Sequence, residues 1–178
     1  DTYEVATVTA YQSGDPVNAP ASSYNWVRVY PSKPGVRVYC DLDATLIQLN
    51  GADNITFYGS EDGIGTNRDL TIENLNLGIS ASVFRFLNGA RNNSIEYCII
   101  KGATGAGAGL IHFGAALATE NNQNITIANN EISGSGNNRP VNVIFSSIGA
   151  GVGTNSATIS NNNIYNFFRP NVASNGII

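Results

Sequence analysis

Charge is what this 178-residue chain most lacks: Asp, Glu, Lys and Arg together make up 12% of it, about half the usual share. Lys occurs twice, at Lys33 and Lys101, and Met is missing altogether. The net charge of −4 and sequence pI near 4.8 leave nucleic acid and anionic membrane surfaces without electrostatic attraction. No run of 18 apolar residues occurs, so no segment reads as a membrane-spanning helix. Cysteine is limited to Cys40 and Cys98, which lack the close spacing of metal ligands and allow a single bridge at most. Two separate buried thiols are the favoured reading, with a disulfide as the alternative. With one His in the chain, no His-based metal cluster is expected, and no cofactor motif is found.

What replaces the missing charge is Asn, with 25 residues, beside 19 Gly. Both tolerate left-handed backbone, and Asn makes local side-chain bonds, so tight turns should be frequent. The 42% of hydrophobic residues supports a packed core, and the length suits a single domain over 1–178.

Internal repeats decide the architecture. Leu49-Asn50-Gly51-Ala52-Asp53-Asn54 is repeated as Leu87-Asn88-Gly89-Ala90-Arg91-Asn92, with one mismatch. Each copy follows a short strand pattern, Leu46–Leu49 or Val83–Phe86, which recurs at Leu110–Phe113, Val143–Phe145 and Gly176–Ile178. A second register aligns Ile127-Ala128-Asn129-Asn130-Glu131-Ile132 with Ile159-Ser160-Asn161-Asn162-Asn163-Ile164. Ile95–Ile100 and Ile72–Leu77 fit the same frame, with apolar residues at the first and sixth positions and polar ones between. Two short strands joined by a sharp Asn turn satisfy that spacing, whereas a helix needs apolar residues three and four apart.

Strands this short cannot bury an apolar face as isolated hairpins. Stacked coil upon coil, each pairs with its equivalents about 4.8 Å above and below, and the inward residues merge into one core. The expected fold is therefore all-β: a parallel β-helix solenoid of about four to five coils, with coils over 27–178 and an irregular or first-coil lead-in over 1–26. Ile72, Ile95, Ile127 and Ile159 are expected in one inward row, and Leu77, Ile100, Ile132 and Ile164 in a second. Asn74, Asn129 and Asn161 are expected to stack as a buried amide ladder, interrupted by Tyr97. The final Asn175–Ile178 reads as the start of another coil, so further β-helix coils of the same longer chain are expected.

Residues 46–60, 67–76, 92–103 and 158–168 resemble the β-helix repeats of large secreted proteins from Bacteroidetes, which are similar in fold to the right-handed, pectate-lyase-like β-helices. The resemblance runs from about Val27 to Ile178. It implies a right-handed coil, a secreted or cell-surface location and a carbohydrate partner, and it is specific for architecture more than for activity.

Strand alternation points Gln48, Arg85, His112 and Phe145 outward in one column. Hydrogen-bonding groups and an aromatic ring in such a column suit a polysaccharide or surface glycan lying along the axis; the plainer alternative is that outward positions are simply polar. Cleavage needs acids, as general acid and base or as cation ligands, and this column has none. Glu73 and Glu96 occupy equivalent positions in the aligned frame and are the one candidate carboxylate pair, with ordinary surface charge the plainer reading. The loop Ser60–Asp69 lacks alternating oxygen ligands and reads as a turn, and Gly102–Gly109 lacks the Lys and the helix of a phosphate cradle. Sequons stand at Asn54, Asn92 and Asn124. No catalytic residue and no metal site is assigned. Two functions follow: a non-catalytic extracellular repeat module serving as stalk, adhesin or glycan-contacting surface, or a polysaccharide lyase or glycoside hydrolase with its site on the outer face.

Overall fold

The computed structural model describes residues 1–5, 8–11, 26–114, 121–147 and 156–178, with 8–11 as backbone only. Every ladder in it is parallel, because each strand pairs with its counterpart one circuit away and never with its neighbour in sequence. Three sheets result. Sheet A runs β1 (Thr2–Glu4), β4 (Val36–Cys40), β7 (Leu70–Asn74), β10 (Ile99–Gly102), β13 (Glu131–Gly134), β16 (Asn163–Tyr165). Sheet B runs β2 (Val8–Tyr11), β5 (Ile47–Asn50), β8 (Phe84–Leu87), β11 (Ile111–Phe113), β14 (Asn142–Ser146), β17 (Asn175–Ile177). Sheet C runs β3 (Val27–Val29), β6 (Ile55–Tyr58), β9 (Ser94–Glu96), β12 (Ile125–Ala128), β15 (Ala157–Ser160). Each trio from β1–β3 to β13–β15 makes one pass around the axis, and β16 and β17 open another. The chain is a parallel β-solenoid. Its lead-in segment supplies the first two strands of the first pass, β1 and β2, which β3 completes.

Register stacks like on like. Val38, Ile72, Ile100, Ile132 and Ile164 form the inward row of sheet A. Val29, Phe57, Ile95, Ile127 and Ile159 form that of sheet C. Ile95, Ile100, Ile127 and Ile132 are fully buried, each contributing about 1.5–3 kcal/mol by leaving water. Sheet B adds Leu49, Phe86 and Phe113 in register, with the two Phe rings stacked at 5.3 Å.

These rows correct the expected ones in one place. Ile72 lies over Ile100, not Ile95, and Leu77 sits outside the strands, half exposed. The turn from sheet C to sheet A is two residues in the later passes (Tyr97-Cys98, Asn129-Asn130, Asn161-Asn162) but spans Gly59–Asp69 after β6. That insertion shifts the frame, and the spacing within Ile72–Leu77 imitates a short turn that is not there.

The amide ladder is also displaced, by one residue. Tyr97, Asn129 and Asn161 hold left-handed backbone at φ 55°, 60° and 54°, the region Asn tolerates and most residues avoid. Asn129 is half-buried and Asn161 exposed. The side chains that turn inward are the next ones along. Asn130 donates to the Ile95 carbonyl at 2.8 Å and accepts from the Cys98 amide at 2.8 Å. Asn162 donates to the Ile127 carbonyl at 2.7 Å and accepts from the Asn130 amide at 2.9 Å. Cys98 completes the column, its thiol directed at the Phe57 carbonyl at 3.8 Å. Asn74 is buried but belongs to another corner, where its amide bonds the Leu42, Ala44 and Ser82 carbonyls. Cys40 and Cys98 are both free and buried.

The one-residue displacement has a direct test. Asn130→Ala should cost on the order of 1–3 kcal/mol in urea unfolding, because a turn amide and carbonyl lose their partner in the interior. Asn129→Ala should cost less, only the part of the roughly 1–2 kcal/mol left-handed penalty that Asn eases with local side-chain bonds and Ala does not. Equal costs at both positions would contradict the ladder as described.

Candidate functional site

A solenoid core leaves chemistry to the outward residues, and the three outer faces differ. On sheet B, register places Gln48, Arg85, His112 and Phe145 side by side on successive strands. The column is less open than strand alternation alone implies. His112 is 7% exposed, and Gln48, Arg85 and Phe145 are half-buried. The imidazole Nε2 lies 3.0 Å from Ser147 Oγ, and its ring is tilted against Phe145 at 5.2 Å. Burial, with the Arg85 charge adding to it, pushes its pKa down to about 4. A neutral, weakly basic and covered imidazole is poorly matched to proton abstraction near pH 7.

Arg85 stands between Gln48 and His112 in this column. Among the described residues its Nε is buried without a hydrogen-bond partner and no carboxylate pairs with it. Gly114 makes the space: a Cβ there would stand 3.0 Å from Arg85 Nε. An Arg so placed offers planar donors to an incoming acceptor.

Sheet A carries the buried carboxylate. Glu73 Oε2 accepts from Arg37 Nε at 2.8 Å and Nη2 at 2.6 Å, while Oε1 accepts from Ser135 Oγ. Arg37 also lies 4.2 Å over the Tyr39 ring. Both Glu73 oxygens are therefore engaged, which is how a carboxylate 6% exposed is tolerated. Glu96 is not its neighbour. It lies on sheet C, in register with Tyr58 and Ala128, and the frame shift that misplaced Ile72 accounts for the mistaken pairing.

On sheet C, Arg28 lies 4.6 Å over the Trp26 ring and 5.2 Å over Tyr58, and Tyr58 packs on Tyr97 at 5.1 Å. Sequence reasoning marked Tyr97 as a break in the Asn column without seeing what it touches. The loop Ser60–Asp69 holds a short 3₁₀ turn at Glu61–Gly63 and is closed by Asp69 Oδ2 accepting from the Glu61 amide at 3.1 Å. Among the described residues no three His, Cys, Asp or Glu side chains gather to hold a metal ion. The sequon residues Asn54, Asn92 and Asn124 stand at exposed left-handed positions.

No helix among the described residues is long and apolar enough to cross a membrane. Compared with known proteins, the chain matches no family model, no curated sequence and no solved structure.

His112 sets a measurable pH dependence. Its folded pKa of about 4 lies below the ordinary 6.5, so the unfolded chain takes up the proton first as pH falls. Its contribution is complete above pH 6.5, shrinks towards pH 4 and levels off below, amounting to at most about 3 kcal/mol. Urea midpoints for the wild type should fall across that window more steeply than for His112→Gln. Parallel curves would show that His112 titrates normally.

Proposed function

We propose that the protein is a non-catalytic β-solenoid module of a secreted or cell-surface protein, which contacts a polysaccharide or surface glycan laid along the axis of sheet B. The observation that carries this reading is Arg85, a cation without a partner among the described residues, in a column of outward side chains repeating at each rung. Rungs about 4.8 Å apart present Gln48, Arg85 and Phe145 in succession along a straight path. A linear polymer meets one side chain after another on such a path, with hydrogen bonds at one end and a ring face at the other.

Cleavage is disfavoured by the same geometry. Hydrolysis of a glycosidic bond needs two carboxyl groups flanking it. Glu73 has both oxygens occupied and Glu96 lies on a different sheet. A lyase reading rests on His112 as base, and that side chain is covered, bonded to Ser147 and poorly basic.

The test offers immobilised acidic and neutral polysaccharides to the wild type, Arg85→Ala and Phe145→Ala, with product release followed alongside. Binding should weaken roughly 10- to 100-fold in Arg85→Ala, the worth of a charge-assisted hydrogen bond, with no unsaturated or reducing-end product. Turnover that disappears in His112→Ala would replace this reading with a lyase. Binding indifferent to both substitutions would remove sheet B as the contact face.

A further inference from the structure

The turn between sheets C and A is built for Asn, yet the third pass places Tyr97 there at φ 55°. An aromatic residue held in left-handed backbone is strained, and strain of this kind persists only where the surroundings fix it. Here they do. Tyr97 packs against Tyr58 with ring centres 5.1 Å apart, tilted by 47°. Tyr58 faces the Arg28 guanidinium, which also lies over Trp26, the single Trp of the chain. Side chains from three successive passes thus form one continuous strip on the outside of sheet C.

The inserted loop of the second pass supports the same strip. Arg28 Nη1 donates to the Gly63 carbonyl at 2.6 Å, and the Tyr58 hydroxyl donates to the Gly65 carbonyl at 2.8 Å. Gly63 fits because it lacks a side chain: a Cβ would stand 2.9 Å from Arg28 Cδ and 3.3 Å from the Tyr30 ring. Two departures from the repeat, an insertion and a misplaced Tyr, therefore converge on one surface. Trp26 is 53% exposed and Tyr30 47%, so ring area stays in water after both departures have been accommodated.

We propose that the strip formed by Trp26, Arg28, Tyr58 and Tyr97 is a binding site for a neutral pyranose chain, whose axial C–H faces lie on the aromatic rings. The electron-rich face of an aromatic ring attracts the weakly positive C–H groups of a sugar. Charge selects the neutral class. Arg28 is engaged by two ring faces and a carbonyl, and its Nε, without a partner among the described residues, is buried away from an incoming anion. Glu96 stands in register beside Tyr58, and the loop adds Glu61 and Asp62. These carboxylates accept hydrogen bonds from sugar hydroxyls and repel uronic acids. The site is separate from the sheet B column, and neither requires the other.

Titrating hexasaccharides of glucose, xylose, mannose and galacturonic acid against the intrinsic fluorescence of Trp26 tests this directly. At least one neutral hexamer should give a saturable change, and the galacturonate hexamer should not. Tyr97→Asn installs the residue that the other turns carry, so the melting temperature should hold or rise while affinity falls roughly tenfold. Trp26→Ala, an exposed substitution, should keep the fold and lose binding when followed by calorimetry. Arg85→Ala should leave this binding unchanged, which separates the site from the one on sheet B. Three results would overturn the proposal: no response to any neutral hexamer, affinity unaltered in both Tyr97→Asn and Trp26→Ala, or binding lost in Arg85→Ala.

Discussion

A turn in a solenoid has a problem that its strands do not. Strands find partners on the rungs above and below, but the backbone at each corner points inward, away from water, with no strand opposite. Buried amides and carbonyls of that kind are costly unless bonded. The column Cys98, Asn130, Asn162 resolves this at one corner: each side chain reaches back to a carbonyl one pass earlier, and the Asn130 and Asn162 side-chain oxygens accept from the backbone N–H groups of the turn one pass earlier. Asn74, Asn93 and Asn142 do comparable work at other corners. With those corners satisfied, the chain can turn within two residues, the strands stay in register, and the isoleucines stack.

Much of this was legible in the residues. Equal spacing between Ile127 and Ile159, with Asn between strands, dictates stacked parallel strands, because no other arrangement places the same side chain at the same turn each time. The strand column of Gln48, Arg85, His112 and Phe145 followed from alternation alone. What was not legible depended on counting across an insertion. Ser60–Asp69 reads as a turn, but nothing in it shows that it takes the place of the two-residue corner, so Ile72–Leu77 was aligned with the wrong frame, and Glu73 with it. The choice between Asn129 and Asn130 as the inward residue turns on backbone φ, to which two adjacent Asn residues are blind in sequence. Nor does a strand pattern reveal that Ser147 would cover His112 or that Arg37 would reach Glu73.

The inside and the outside of the molecule obey different rules. Inward positions repeat because each must fit the one beneath it. Outward positions escape that condition, and here they diverge completely: an ion pair under a serine on sheet A, an Arg with no partner among the described residues beside a neutral His on sheet B, rings and a guanidinium on sheet C. Departures from the repeat, of which Tyr97 and the Ser60–Asp69 loop are the clearest, thus fall where stacking does not demand a matching side chain.

The link from Arg37 through Glu73 to Ser135 has a consequence for how the stack comes apart. In a solenoid held by adjacent rungs alone, stability is a sum of nearest-neighbour terms, and the ends can fray one rung at a time. Arg37 lies in the second pass, Glu73 in the third and Ser135 after the first strand of the fifth, so this contact skips a rung. Peeling the fifth pass away exposes the Glu73 carboxylate two rungs down and releases its partner, so the middle of the molecule is coupled as a single cooperative block. Under a pulling force along the axis, such a block yields in one large step where an unlinked stack would unravel in several small ones.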